Sequence, residues 1–139
     1  MIVINETRET VVAKNVWAAG SFWERLRGLI GSPPLEENEG FLIPSCQGIH
    51  SFGMSYLFDA IYLDRNGRVL ELIIGMKPNS FGIINFKTRS VLELPHGTID
   101  RTKTQKDDLL FVADISSLAT SHESAKKILS ILPPVPRML

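Results

Sequence analysis

The stretch of sequence that decides the fold runs from residue 57 to residue 74: Leu57-Phe-Asp-Ala-Ile-Tyr-Leu-Asp64, Arg65-Asn-Gly67 and Arg68-Val-Leu-Glu-Leu-Ile-Ile74. Two apolar runs of strand length flank a turn of three residues, in which Gly67 can adopt positive φ without steric cost. This arrangement predicts a β-hairpin, and the rest of the fold is interpreted around it.

Short apolar segments on both sides of the hairpin predict further strands, separated by turns that contain Gly and Pro. These segments lie at residues 1–5, 10–17, 41–43, 90–94 and 109–115. Many short strands with few helices are typical of a mainly β domain, which is α+β by content. We predict a compact β-sandwich or half-barrel.

Two capping boxes predict the helices of the chain. Ser21-Phe-Trp-Glu24 favours a short amphipathic helix near residues 22–30, and Thr120-Ser-His-Glu123 favours a C-terminal helix near residues 121–132. We therefore expect one β-rich domain, residues 1–115. The remaining residues, 116–139, form a helix and a Pro-rich tail that either pack on this domain or dock a partner.

Length, charge and cysteine content narrow the function classes. The 139 residues carry 15 basic and 15 acidic side chains, so the formal net charge is zero. Nucleic acid and anionic membranes attract basic surfaces, and we expect neither as a partner. A single cysteine forms no internal disulfide, and neither a signal segment nor an apolar run of ~20 residues is evident. We predict a cytoplasmic protein that is a monomer or a weak dimer.

A possible metal site is indicated by three residues at intervals of four, Cys46, His50 and Met54. Thiolate, imidazole and thioether are ligands that Cu(I) or Zn prefers. In a straight strand, however, residues four apart lie ~13 Å from each other, so one ion could join them only if the chain bulges at Gly48. A buried Cys, a hydrogen-bonded His and a core Met explain the spacing as well. We predict no metal and no cofactor, with Cys46 and His50 as the residues that would supply ligands.

Two carboxylates interrupt apolar strands. Asp59 shares a strand face with Ile61 and Leu63, where a carboxylate must be paired, hydrogen-bonded or desolvated. It is either a functional group or a cap of the strand entrance that accepts hydrogen bonds from loop amides. Glu93 is most simply an outward-facing side chain on an alternating strand. His96, in the turn after it, is expected to be solvated.

A catalytic interpretation uses Cys46 as nucleophile, His50 as base and Asp59 to orient the imidazole. The residue types suit this chemistry, but such groups are recognised by geometry and not by sequence spacing. Phosphate loops and the common hydrolase and metalloprotease motifs do not occur in the sequence. Whether the protein is an enzyme therefore stays open.

Four blocks of the sequence resemble a widespread prokaryotic family, domain of unknown function 192. They are Arg25-Leu-Arg-Gly-Leu-Ile30, Cys46-Gln-Gly-Ile-His-Ser-Phe-Gly-Met54, Phe58-Asp-Ala-Ile-Tyr-Leu-Asp-Arg-Asn-Gly-Arg-Val69 and Val91-Leu-Glu-Leu-Pro-His-Gly-Thr98. The resemblance spans about residues 10 to 115 and implies a compact β-sandwich-like domain with short helices. It implies no established activity. Ser51, Ser55 and His96 depart from the residues usual in the family.

On this match we expect six side chains to cluster in space and bind a ligand: Cys46, His50, Met54, Asp59, Glu93 and Arg27. Our leading hypothesis is a small binding module with a polar cleft around Cys46, His50 and Asp59, which takes a small ligand or a partner's peptide. The alternatives are a hydrolase or transferase that uses Cys46 and His50, and a structural protein without a small-molecule site.

Overall fold

The computed structural model describes residues 1–114 and Ser130. Ten strands and two short helices follow in chain order: β1 Ile2–Asn5, β2 Thr10–Ala13, β3 Asn15–Ala18, α1 Phe22–Arg27, β4 Glu39–Pro44, β5 Gly48–His50, β6 Phe58–Leu63, β7 Val69–Met76, β8 Phe81–Ile84, β9 Ser90–Pro95, α2 Thr98–Thr102 and β10 Leu110–Ala113. The prediction of a mainly β domain is confirmed.

The centre of the domain is a five-stranded sheet in the order β3-β4-β9-β6-β7. The decisive hairpin forms as expected, because β6 and β7 pair antiparallel, and β6 pairs on its other side with β9. Among the strands that the structure describes, only β3 and β4 run parallel. A three-stranded sheet, β10-β1-β2, and a two-stranded ribbon, β5-β8, complete the described strands.

Each face of the central sheet is buried under a different layer. Ile61 and Leu92 face the three-stranded sheet and pack with Val3 and Val12 in one core cluster. Tyr62 and Val91 face the other way, into a cluster that residues from the α1 region and the loop after β5 complete. Because side chains alternate along a strand, the two clusters lie on opposite faces of the sheet. A sandwich-like arrangement results.

The ribbon and α1 cover the second face. The Tyr62 hydroxyl donates a hydrogen bond to the Ile83 carbonyl across 2.7 Å, which ties β8 to the sheet. Ser21 caps α1 by accepting from the Glu24 amide, as expected, while the Glu24 carboxylate accepts from the amide of Gly20. Residues of α1 and of β5 line one cavity on this face, and this cavity is the candidate site.

Several elements differ from the sequence prediction. The segment 10–17 is two strands, which separate at Lys14 and join different sheets. The first helix ends at Arg27 instead of near residue 30, because Gly28 adopts a φ of 54° and its amide bonds back to the Glu24 carbonyl. Strands β5 and β8 and helix α2 were not predicted. The expected helix near 121–132 and the segment 116–139 lie outside the described residues, apart from Ser130.

Candidate functional site

A cavity of about 80 Å³ lies between α1 and β5, above the face of the central sheet that carries Tyr62 and Val91. Its polar lining consists of Arg25, Arg27, His50 and Glu93. The remaining lining residues are apolar or glycine: Leu26, Gly28, Leu29, Ile30, Ile43, Gly48, Ile49 and Met54. Apolar walls combined with a few convergent polar groups are the usual lining of a ligand site, and this cavity is smaller than the ~300–1,000 Å³ that drug-sized ligands occupy.

Glu93 belongs to this cavity and does not face outward. Its Cα pairs with Ala60 across β9 and β6, so its side chain takes the cavity face of the sheet. The residue is only 3% exposed, which overturns the expectation of a solvated carboxylate. Burial raises the pKa of Glu93 to about 8. Its Oε2 has no hydrogen-bond partner among the described residues.

The turn after α1 lies directly against this carboxyl. A Cβ placed on Gly28 would come within 3.6 Å of the Glu93 Oε1 and 3.8 Å of the Ile43 Cδ1. Gly28 also has a positive φ, which glycine adopts at no steric cost. The glycine therefore ends the helix and brings its last turn against Glu93.

His50 reaches the cavity from β5, where it pairs with Phe81 of β8. The Phe52 amide donates to the His50 Nδ1 across 3.3 Å, so in the neutral ring the proton resides on Nε2. The rings of His50 and Phe52 lie 5.6 Å apart, which holds the imidazole from one side. His50 therefore presents a donor nitrogen away from its own backbone.

Two arginines of α1, Arg25 and Arg27, line the same cavity as Glu93. The Arg27 Nε donates to the Ile30 carbonyl across 2.8 Å, which fixes this side chain along the turn that follows the helix. Arg25 lowers the pKa of the nearby Cys46 thiol electrostatically, although burial outweighs this effect.

Cys46 lies next to the cavity and does not line it. It lines a second, more open depression of about 290 Å³ together with Arg25, Gly48 and neighbouring residues. Its Sγ donates to the Gly48 carbonyl across 3.1 Å. Burial raises the pKa of the thiol, so the nucleophilic thiolate is disfavoured at neutral pH. Within residues 1–114, three or more His, Cys, Asp and Glu side chains nowhere converge as metal ligands.

Asp59 is the one member of the expected cluster on the opposite face of the sheet. It pairs with Leu94 of β9. Glu93 directly precedes Leu94, so its side chain lies on the opposite face of the sheet. The carboxylate of Asp59 is fully buried and accepts from the amides of Gly75, Gly97 and Ile99 at 2.9, 3.1 and 3.0 Å. Asp59 therefore accepts hydrogen bonds from loop amides, as its second expected role requires, but it caps helix α2 and not the entrance of its own strand.

His96 is not simply solvated, because its Nδ1 lies 3.0 Å from the Asp59 Oδ1. The imidazole is 45% exposed, and Gly75 approaches it closely from β7. The expectation of six clustered residues is thus wrong for Asp59. His50, Met54, Glu93 and Arg27 share one cavity, and Cys46 is adjacent.

Sequence reasoning did not nominate Arg25 or Gly28 as site residues. Both lie in the block Arg25-Leu-Arg-Gly-Leu-Ile30, which was quoted only as part of the family resemblance. An amphipathic helix was expected here, and its polar residues can border a cavity as readily as solvent. The local signal that could have identified the site was this block itself.

Comparison with known proteins decides the family. The model of DUF192, a family described as an uncharacterized ACR, matches residues 3–112. The chain belongs to this family. A protein named UPF0127 from Thermococcus sibiricus is 30% identical over 111 residues, which are 77% of this chain and 71% of the relative.

Two crystal structures resemble this DUF192 protein in fold. A protein of unknown function from Novosphingobium aromaticivorans superposes with a TM-score of 0.67 at 18% identity, over 80% of this chain and 82% of its own. A Sinorhizobium meliloti protein named as a candidate transcription regulator gives 0.63 at 19% identity, over 79% and 89%. At these identities the likeness shows the fold alone. No helix within residues 1–114 is long and apolar enough to cross a membrane.

Proposed function

We propose that this DUF192 protein is a small-ligand binding module, and that its site is the cavity between α1 and β5. The observation that carries the proposal is the Glu93 carboxyl, which is 3% exposed, borders a cavity and has an oxygen without a partner among the described residues. Such a buried polar atom costs roughly 1–3 kcal/mol. A ligand that hydrogen-bonds Glu93 offsets this cost.

The size of the cavity limits the ligand. A single water needs roughly 10–15 Å³ of such space, so a cavity of about 80 Å³ holds several waters or one small organic molecule. The apolar walls favour the organic molecule, because they offer ordered water few hydrogen bonds. A peptide partner, the other ligand considered from sequence, could place only one side chain in this volume.

A thiol enzyme is less well supported than binding. Cys46 and His50 do not line the same cavity, and burial disfavours the thiolate. We retain the cytoplasm as the proposed location, because a chain with one cysteine requires no oxidising compartment. Nucleic acid and membrane remain outside the proposal, in keeping with the balanced charge.

The test is an NMR screen of the isotopically labelled full chain against very small amides, alcohols, amines and carboxylates. At least one compound should perturb the His50, Met54 and Glu93 resonances together in a saturable way. Glu93→Leu should abolish this binding while the domain stays folded, since it removes an unpaired buried carboxyl.

The matched control is Glu71→Leu, which changes a carboxylate on strand β7 of the same sheet, separated from β9 by β6. Glu71 is paired with Lys106 at 2.8 Å and does not line the cavity. This variant should bind as the unaltered protein does. If no compound perturbs the cavity up to its solubility limit, or if Glu93→Leu binds normally, the proposal is wrong.

A further inference from the structure

We propose that the ligand is a small aliphatic carboxylate, held by polar side chains that all present hydrogen-bond donors to the cavity. This inference rests on the proposed function and specifies the chemistry of its ligand. It follows from the protonation and hydrogen-bonding state of the four polar residues that line the cavity, Arg25, Arg27, His50 and Glu93.

The arginines supply the positive charge. A guanidinium has five N–H donors, no acceptor and a charge that persists at all relevant pH values. Arg27 uses its Nε to bind the Ile30 carbonyl, which leaves its terminal nitrogens as donors and holds the planar group in place. Among the described lining residues, Glu93 is the one acidic side chain. An anion therefore meets more attraction here than a cation does.

His50 contributes a further donor. Its Nδ1 accepts the Phe52 amide at 3.3 Å, so the neutral ring carries its proton on Nε2. The acceptor nitrogen is already occupied, and the remaining ring nitrogen can only donate. A ligand group that contacts this nitrogen must be an acceptor.

Glu93 behaves as a donor in the same sense. Its environment contains Arg25 and Arg27 from α1, His50 from β5, and Cys46, Tyr56 and Tyr62. Burial raises the pKa values of the last three groups, and a negative charge on Glu93 raises them further. None of these groups hydrogen-bonds to its buried Oε2. With a pKa raised by burial to about 8, the carboxyl is mostly protonated at neutral pH. A protonated carboxyl donates its O–H to a carboxylate, and short bonds of this type are strong.

The walls select an organic anion over an inorganic one. Leu29, Ile43 and Met54 are buried apolar residues of the lining. A phosphate or sulfate carries oxygens on every side, and the oxygens that face these apolar surfaces would lose their hydration without gaining a hydrogen bond. A carboxylate with a short alkyl chain can direct its oxygens to the donors and its methyl groups to the walls, and about 80 Å³ suits a chain as short as that of propionate.

The sign of the pH dependence distinguishes an anion from a cation. Ionisation of Glu93 converts a donor into a negative charge, so carboxylate affinity should fall about tenfold from pH 7 to pH 9 for a pKa of about 8. Burial raises the pKa values of Cys46, Tyr56 and Tyr62 above their ordinary ranges, and comparison with Glu93→Gln separates their ionisation from that of Glu93. A cationic ligand would show the opposite trend, because it pairs with the ionised carboxylate.

The experiment compares propionate, propionamide and propylammonium by NMR titration at pH 7 and pH 9 and constant ionic strength. Propionate should bind best at pH 7 and about tenfold more weakly at pH 9. Glu93→Gln should keep propionate binding and lose the pH dependence, since the amide donates and does not ionise. Arg25→Gln should weaken propionate about tenfold, while Arg65→Gln, in the exposed hairpin turn, should not.

Two results would overturn the inference. In the first, propylammonium binds more tightly than propionate, its affinity increases towards pH 9, and Glu93→Gln abolishes its binding. The cavity would then be a cation site. A cavity that ignores all three compounds but responds to another molecule of the screen would also contradict it. In both cases the proposed binding function survives, whereas a cavity that responds to nothing defeats the function as well.

Discussion

Replacing Asp59 with Asn should destabilise the domain and leave the cavity unaffected. The substitution preserves the size of the side chain and exchanges one carboxylate oxygen for an NH₂ group. In the structure, Oδ2 accepts from the amides of Gly97 and Ile99, and Oδ1 accepts from the Gly75 amide and contacts His96. An amide side chain has a single oxygen, so it cannot accept the hydrogen bonds made at Oδ2 and also those made at Oδ1.

The magnitude follows from this geometry. If the Asn oxygen occupies the Oδ2 position, its NH₂ group faces the Gly75 N–H, which loses its acceptor at a cost of roughly 1–3 kcal/mol. The bonds from Gly97 and Ile99 persist with a neutral acceptor in place of a charged one, and neutral bonds are about half as strong. Together these losses amount to roughly 3 kcal/mol of unfolding free energy.

Urea unfolding followed by circular dichroism measures this change. The control is His96→Gln, which removes only the contact from a half-exposed imidazole and should cost about 1 kcal/mol or less. If Asp59→Asn costs no more than His96→Gln, the carboxylate is not the anchor that we infer. Ligand affinity at the cavity should be the same in both variants, because Asp59 and Glu93 lie on opposite faces of the sheet.

Three further predictions follow from individual side chains. The pKa of Glu93 rises from 4.5 to about 8 on folding, so folding binds a proton between these pH values. The contribution of Glu93 to the free energy of unfolding is therefore highest below pH 4.5 and falls as the pH rises to 8. Relative to Glu93→Gln, the free energy of unfolding of the protein should therefore fall by up to roughly 5 kcal/mol over this interval. If the unfolding free energies of the two proteins change in parallel with pH, this prediction is wrong. Burial should make Cys46 react more slowly with iodoacetamide at pH 8 in the folded protein than in urea, and equal rates would show an exposed thiol. Gly75→Ala should cost roughly 1–3 kcal/mol, because φ is 64° and the new Cβ would lie 2.9 Å from the His96 Cε1. Part of this loss should be recovered when His96→Ala is added, and purely additive losses would exclude the clash.

The sequence predicted the strands well where alternation and turn residues agreed. The hairpin of residues 57–74 forms because two apolar runs flank Arg65-Asn-Gly67, and these are local properties. The capping box at Ser21 is also local, and it predicted where α1 begins. Where the helix ends was less predictable, since that depends on the positive φ of Gly28 against the buried Glu93.

The direction of Glu93 could not be predicted from alternation alone. Alternation places Glu93 opposite Leu92 and Leu94, but it identifies the solvent face only if one face of the sheet is exposed. Here both faces are covered, and every residue of β6 is buried. The almost continuous apolar run from Phe58 to Leu63 was the available indication that this sheet is buried on both sides.

The role of Asp59 was similarly hidden, because its partners are distant in the sequence. Helix α2 has only five residues and an N-cap glycine, Gly97, that offers no side-chain oxygen. The oxygen that caps it comes from Asp59, 40 residues before Ile99. Local patterns cannot reveal a cap of this kind, so α2 was missed and Asp59 was assigned to the wrong cluster.

The central claim is that Glu93 is a protonated carboxyl in a ligand cavity, with an oxygen that lacks a hydrogen-bond partner among the described residues. NMR titration of its side-chain carboxyl carbon tests this claim most directly. The account predicts a midpoint near pH 8 in the free protein and a higher midpoint with propionate, because the anion favours the protonated form. A midpoint near 4.5, or one that propionate does not move upward, would contradict it.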